Sequence, residues 1–103
     1  MVLFIMEYTI VREKGEEYTQ HAKNVTLPYI QTVPGLIELR GHRDYTSGRA
    51  HVAMEFDSYS SWGDYMDHPK TKEIMTKSRE FTYDITWKLW GESPITPAPV
   101  NPT

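Results

Sequence analysis

Three side chains stand out for the chemistry their types could do. Trp62 is an indole at the head of a helical run, offering a broad stacking surface and one hydrogen-bond donor to an aromatic ligand. Tyr8 lies in an alternating apolar segment, where a phenol can hydrogen-bond a substrate oxygen or deliver a proton. His68 directly precedes Pro69 at a break between two helical pieces, where an imidazole titrating near neutrality can act as acid or base. Each has a structural reading beside it: Trp62 as a core anchor, Tyr8 as a core phenol with a satisfied hydroxyl, and His68 as a local helix terminator.

Other ionisable groups are less specific. His21 sits just off the buried stripe of the first helix and is read as half exposed. His42, His51, Asp44 and Glu55 share one face of a hairpin and superficially resemble a metal site. Cross-strand pairing of Arg40 with Glu55 and of Asp44 with His51, worth ~0.2–1 kcal/mol each, explains the same residues, so the expectation is no metal. No serine sits in a nucleophile-elbow pattern and no glycine-rich phosphate loop occurs, which makes hydrolase and nucleotide-binding readings weak.

The elements that must position these groups follow from periodicity. Val2 to Arg12 alternates, with Phe4, Met6, Tyr8 and Ile10 on one face and Leu3, Ile5, Glu7, Thr9 and Val11 on the other; both faces are largely apolar, as a central strand requires. An acidic opening at Glu16 and Glu17 leads into a helix whose stripe is Tyr18, Ala22, Val25, Tyr29 and Val33. Pro28 lacks a backbone donor and is expected to kink its last turns, and Pro34-Gly35 stops it. Leu36 to Tyr45 and Arg49 to Asp57 form two strands, joined in the simplest reading by a two-residue turn at Ser47-Gly48. Ser58 caps a helix carrying Tyr59, Trp62 and Met66, Pro69 opens another carrying Ile74 and Phe81, and Thr82 to Trp90 is the last strand. Tyr83, Ile85, Trp87 and Leu89 are expected on its apolar face.

This βαββαβ order specifies an α+β, ferredoxin-like fold with an antiparallel four-stranded sheet. Residues 1–91 form the domain, and residues 92–103 a proline-rich C-terminal tail. The helix-covered face takes Phe4, Met6, Tyr8, Ile37, Leu39, Val52, Met54, Ile85 and Trp87. The opposite face mixes charge and apolar groups in the manner of an interface. At 103 residues the chain buries only ~65% of its unfolded surface, so a homodimer is expected. The net charge of −3, with acids and bases interspersed, leaves no basic stripe for nucleic acid and no polybasic run for a membrane surface. Cysteine is absent, removing disulfides, thiolate ligands and thiol nucleophiles together. Glu7 interrupts the apolar opening after five residues, so it reads as a strand of a cytoplasmic protein.

Val33-Pro34-Gly35-Leu36 before the second strand, Met54-Glu55-Phe56-Asp57-Ser58-Tyr59-Ser60-Ser61-Trp62 from strand into helix, and His68-Pro69 resemble the dimeric α/β-barrel superfamily, in particular its antibiotic biosynthesis monooxygenase-like domains. The resemblance spans Val2 to Trp90. It implies two sheets meeting face to face in a shared barrel, with a small-molecule pocket between sheet and helices in each subunit. It also implies cofactor-free oxidation of a small aromatic or polyketide-like compound, with Trp62, Tyr8 and His68 around it. Some such enzymes use an Asn, a Trp and an Arg; here Trp62 matches, but Asn24 and Asn101 fall in the first helix and the tail. Relatives that degrade haem want a histidine on the second half of the helical run, and Lys70 to Phe81 contains none. The rival implications are a non-catalytic ligand-binding or stress-response protein of this fold, and a structural oligomerisation module using the polar sheet face and tail.

Overall fold

The structure is a computed structural model that describes residues 1–102. Strand β1 (Val2–Ile10) leads into a continuous helical run: a 3-10 turn (Arg12–Lys14), α1 (Gly15–His21), a π turn (Ala22–Thr26) and α2 (Leu27–Ile30). Strands β2 (Leu36–Arg43) and β3 (Ala50–Phe56) follow, then α3 (Tyr59–Asp67), α4 (Pro69–Ser78) and β4 (Thr82–Gly91). Residues 92–102 carry no helix or strand.

The four strands lie in the order β2-β3-β1-β4, with every neighbouring pair antiparallel. This is the ferredoxin-like arrangement that the strand and helix order specifies. Aromatic and apolar residues concentrate on the two central strands, where a side chain meets neighbours on both sides. Phe4, Met54 and Phe56 are the largest completely buried hydrophobic groups. Each contributes about 1.5–3 kcal/mol by leaving water. Val2, Ile30 and Tyr65 complete the buried cluster, and Val33, Leu39 and Trp62 pack on its rim.

The helix termini follow their sequence signals. The Ser58 hydroxyl accepts the Ser61 N–H at 3.0 Å and opens α3. His68 Nδ1 accepts the Lys70 N–H at 3.0 Å, and Pro69 occupies the first turn of α4. In the first helical run the π turn immediately precedes Leu27 and Pro28. Pro28 has no N–H with which to close an ordinary helical bond to Asn24, so the ladder is irregular where the proline enters. Gly35 turns the chain into β2 at φ +79°, a conformation that side chains other than glycine rarely adopt.

Three sequence expectations are corrected. The β2–β3 connection is longer than two residues: the Asp44 carboxylate accepts the Thr46 N–H at 2.8 Å, and the Thr46 and Ser47 hydroxyls at 2.6 and 2.9 Å, which closes a wider loop. Arg40 therefore faces Ala53 rather than Glu55, and His51 faces His42 rather than Asp44. The slip is by two residues, so each side chain keeps its face of the sheet. Second, an irregularity between Leu36 and Glu38 makes Ile37 the extra residue of β2, and it is 59% exposed rather than in the core. Third, a bulge sets Asp84 and Ile85 together opposite Tyr8, with Asp84 at φ +54°. It pairs Tyr83 with Thr9, on the side away from the helices, so Tyr83 leaves the apolar row of β4.

The bulge is held from the sheet's outer side. Arg49 donates to the Thr9 hydroxyl at 3.0 Å and to the Asp84 carbonyl at 2.7 Å, and it pairs with the Asp84 carboxylate at 3.3 Å. One side chain thereby ties the β2–β3 connection to β4 across β1.

Candidate functional site

On the helix side of β1, Phe4, Met6 and Tyr8 follow one another at intervals of ~7 Å. Trp62 of α3 closes on the Phe4 end, ring centres 5.8 Å apart, and Trp87 of β4 meets Phe4 edge-on at 5.7 Å. Trp62 and Trp87 are 6.3 Å apart, and Tyr59 stands 5.4 Å beyond Trp62. Trp87 is paired with Met6, and Ile85 stands at the bulge opposite Tyr8. Trp87, on the edge strand β4, is nonetheless 57% exposed. The result is an aromatic wall between sheet and helices, open along one side. Ile85 and Trp87, expected in the core, belong to this open wall.

The Trp62 indole N–H is buried with no hydrogen-bond partner among the described residues. An orphaned buried donor costs about 1–3 kcal/mol, which a ligand acceptor would recover.

Tyr8 stands at the other end of the row, ~13 Å along the strand from Phe4. Its hydroxyl is hydrogen-bonded to that of Tyr18 on α1, with ring centres 5.9 Å apart. Burial pushes the Tyr8 phenol well above its ordinary value, the Tyr18 hydrogen bond adds to this, and the Arg43 charge opposes it more weakly. Tyr8 therefore stays neutral at working pH. It can offer a hydrogen bond to a substrate oxygen and cannot serve as a base.

His68 lies apart from this row. Its Nδ1 is taken up by the cap of α4, which puts the ring proton of the neutral form on Nε2. The ring packs 5.7 Å from Tyr29, at a cavity of about 350 Å³ that Tyr65 and Asp64 also line. Tyr65 reaches the sheet at Phe56 of β3, whereas Trp62, one turn earlier, reaches Phe4 and Trp87. His68, at the C-terminal end of α3, thus faces the Tyr29 cavity, which neither Tyr8 nor Trp62 lines.

Asn24 is exposed and donates to Gln20 at 3.2 Å, away from the wall. His42 and His51 do come together at 5.5 Å, but Glu55 faces Glu38 and Asp44 is held in the hairpin loop. Among the described residues no group of three or more His, Asp or Glu could hold a metal ion. The sequence reasoning missed Tyr18 as the partner of Tyr8 and Trp87 as an exposed wall. Their signals were present: a phenol on the helical stripe and an indole on an edge strand.

This topology is the fold seen in solved structures described as antibiotic biosynthesis monooxygenases. A proposed antibiotic biosynthesis monooxygenase from Deinococcus radiodurans is similar over 100% of this chain and 99% of its own, with TM-score 0.82 and 10% identity. SnoaB, a cofactor-independent oxygenase from Streptomyces nogalater, is similar over 94% of this chain and 97% of its own, with TM-score 0.74 and 14% identity. A conserved protein from Methanosarcina mazei Go1 covers 86% of this chain and 89% of its own, with TM-score 0.77 and 13% identity. At such identities the likeness is one of fold. No protein-family model matches the chain, and no curated protein sequence matches it. Among the described residues no helix is long and apolar enough to cross a membrane.

Proposed function

We propose that the protein binds a small aromatic or polyketide-like compound on the wall between Trp62 and Tyr8, and that it is monooxygenase-like in its chemistry. The observation that carries this reading is the buried, unpartnered Trp62 N–H beside the half-exposed Trp87 ring. A flat ligand laid over Met6 and Trp87 would stack on the indoles and accept the orphaned donor. Tyr8, held neutral by burial, would donate to an oxygen at the ligand's far end.

In the catalytic version the ligand is an acidic phenol or ketone with a CH2 group in conjugation. Loss of one ring proton gives an electron-rich anion, and the neutral Tyr8 phenol stabilises its oxygen. The anion reduces O2; one oxygen atom is retained as a carbonyl at the former CH2 carbon, and the other leaves as water. The four electrons come from the substrate, so neither flavin nor metal enters the balance. His68 lines the separate cavity beside Tyr29, so these steps are written without it.

The rival is a binding protein without turnover, favoured by the position of Asn24, which leaves no asparagine near the wall. In either version we propose a homodimer. The outer sheet face carries Leu3 and Ile5 on β1, with Ala53 and Trp90 as their partners on β3 and β4, amid charged groups. Trp90 is 53% exposed there, where a second copy would cover it. Sedimentation equilibrium of the full chain and of a chain ending at Gly91 tests the dimer and the tail together. A dimer that survives truncation dismisses the structural-module reading.

The test of function is a ligand titration followed by tryptophan fluorescence and thermal shift, with phenols, quinols, flavin and haem. An aromatic ligand that raises the melting point supports the wall as a binding site and calls for oxygen-uptake assays. No shift with any of them would overturn the reading.

A further inference from the structure

At the end of the sheet where β1 runs into the helices and the β2–β3 hairpin turns back, there is a second cavity, of about 520 Å³. Arg12 and Arg43 both line it, with hydroxyl groups from Thr9, Thr19, Ser47 and Tyr83 around them. Two arginines lining one cavity repel each other, and the chain carries a net charge of −3, so general basicity does not explain their sharing it.

The carboxylates of the hairpin loop and of the β4 bulge are engaged elsewhere. Asp44 is bound to the Thr46 and Ser47 hydroxyls and to the Thr46 N–H; these hydrogen bonds hold its carboxyl down at about 2. Asp84 is paired with Arg49. Among the described residues neither Arg12 nor Arg43 forms an ion pair. Arg43 lies on the row Arg43–Ala50–Tyr8, and its charge is felt at the Tyr8 phenol.

We infer that this cavity is a binding site for a small oxyanion, a carboxylate or a phosphate, held between Arg12 and Arg43. The planar guanidinium fork matches both groups; of the surrounding hydroxyls, that of Thr9 accepts from Arg49 and keeps its own proton to donate, whereas those of Thr19 and Ser47 already donate to Gly15 and Asp44. The site is defined by charge and stands independently of the aromatic wall.

The experiment is a titration of the full chain with acetate and with inorganic phosphate at constant ionic strength, followed by amide chemical shifts. Saturable shifts centred on Thr9, Thr19 and Gly48 are expected, and Arg12→Gln or Arg43→Gln should weaken binding about tenfold or more. Phosphate binding without acetate, or the reverse, assigns the anion class and upholds the site. The inference is overturned if neither anion gives a saturable shift, if the shifts centre elsewhere, or if both variants bind as the parent does. The wild-type shift map alone decides the matter if a variant fails to fold.

Discussion

Replacing Trp62 by Phe separates a binding indole from a packing one. The substitution removes the orphaned N–H, relieving about 1–3 kcal/mol of unmet hydrogen bonding. It also deletes part of a ring that touches Phe4, Trp87 and Tyr59. Complete truncation of a buried aromatic ring costs about 3–5 kcal/mol, so trimming indole to benzene, in a side chain that is only partly buried, should cost about 1–1.5 kcal/mol. The two effects oppose each other, leaving Trp62→Phe between about 0.5 kcal/mol less stable and about 2 kcal/mol more stable than the parent, a melting-point change between roughly −4 and +16 °C. Binding should move the other way: without the donor, a ligand that accepts from Trp62 loses about 1 kcal/mol, roughly fivefold in affinity. Thermal unfolding without ligand and a fluorescence titration with the best phenol read the two quantities separately; Trp87 and Trp90 remain as reporters. A loss of more than about 2 kcal/mol with unchanged affinity would refute the reasoning and make Trp62 a core anchor.

Three further outcomes are expected. Gly35→Ala forces a Cβ to within 2.3 Å of Ser61 Oγ at φ +79° and should cost about 1–3 kcal/mol by urea unfolding; a neutral result would mean that the β2 entrance relaxes freely. Arg49→Ala removes both hydrogen bonds to Asp84 in the β4 bulge and should cost about 1–2 kcal/mol, with faster amide exchange at Asp84 and Ile85; unchanged exchange would leave the clamp without a role.

The third concerns pH. His21 is held below its ordinary value first by burial and then by the Lys77 charge, so the folded chain binds its proton less readily than the unfolded chain. Stability should therefore fall as pH drops below about 6.5, and His21→Gln should flatten that slope. Tyr8 and Tyr65 are both raised, burial being the first cause in each, so their contribution is full below about pH 10 and lost as pH climbs above it. Phenolate absorbance should show them ionising last, or with unfolding; ionisation of all seven tyrosines near pH 10 in the folded chain would contradict their burial.

Much of the architecture was legible in the chain itself. The alternation from Val2 to Ile10, the stripe through Tyr18 and Tyr29, the Ser58 cap and the Pro69 start are local signals, set by a period of two or 3.6 and by single side chains meeting their own backbone. Their order specified the ferredoxin-like sheet, because few arrangements bury two helices on four antiparallel strands. Register was not local in this sense. A carboxylate at Asp44 that gathers three donors outweighed the tighter turn, and the bulges at Ile37 and Asp84 moved Ile37 and Tyr83 out of the core.

The same division holds for the site. Residue types alone singled out Tyr8, Trp62 and His68, since few side chains stack, donate or titrate near neutrality. Only the tertiary structure decided which of them share a surface. The side on which α3 presents Trp62 and the edge position of β4 set Trp62 and Trp87 against Phe4; His68, capping α4, stands instead beside Tyr29 at a separate cavity. Spacing along a chain determines which face of an element a residue occupies. Which faces meet is determined by packing, through contacts such as Tyr8 with Tyr18, or Tyr29 with Thr71, that no local period encodes.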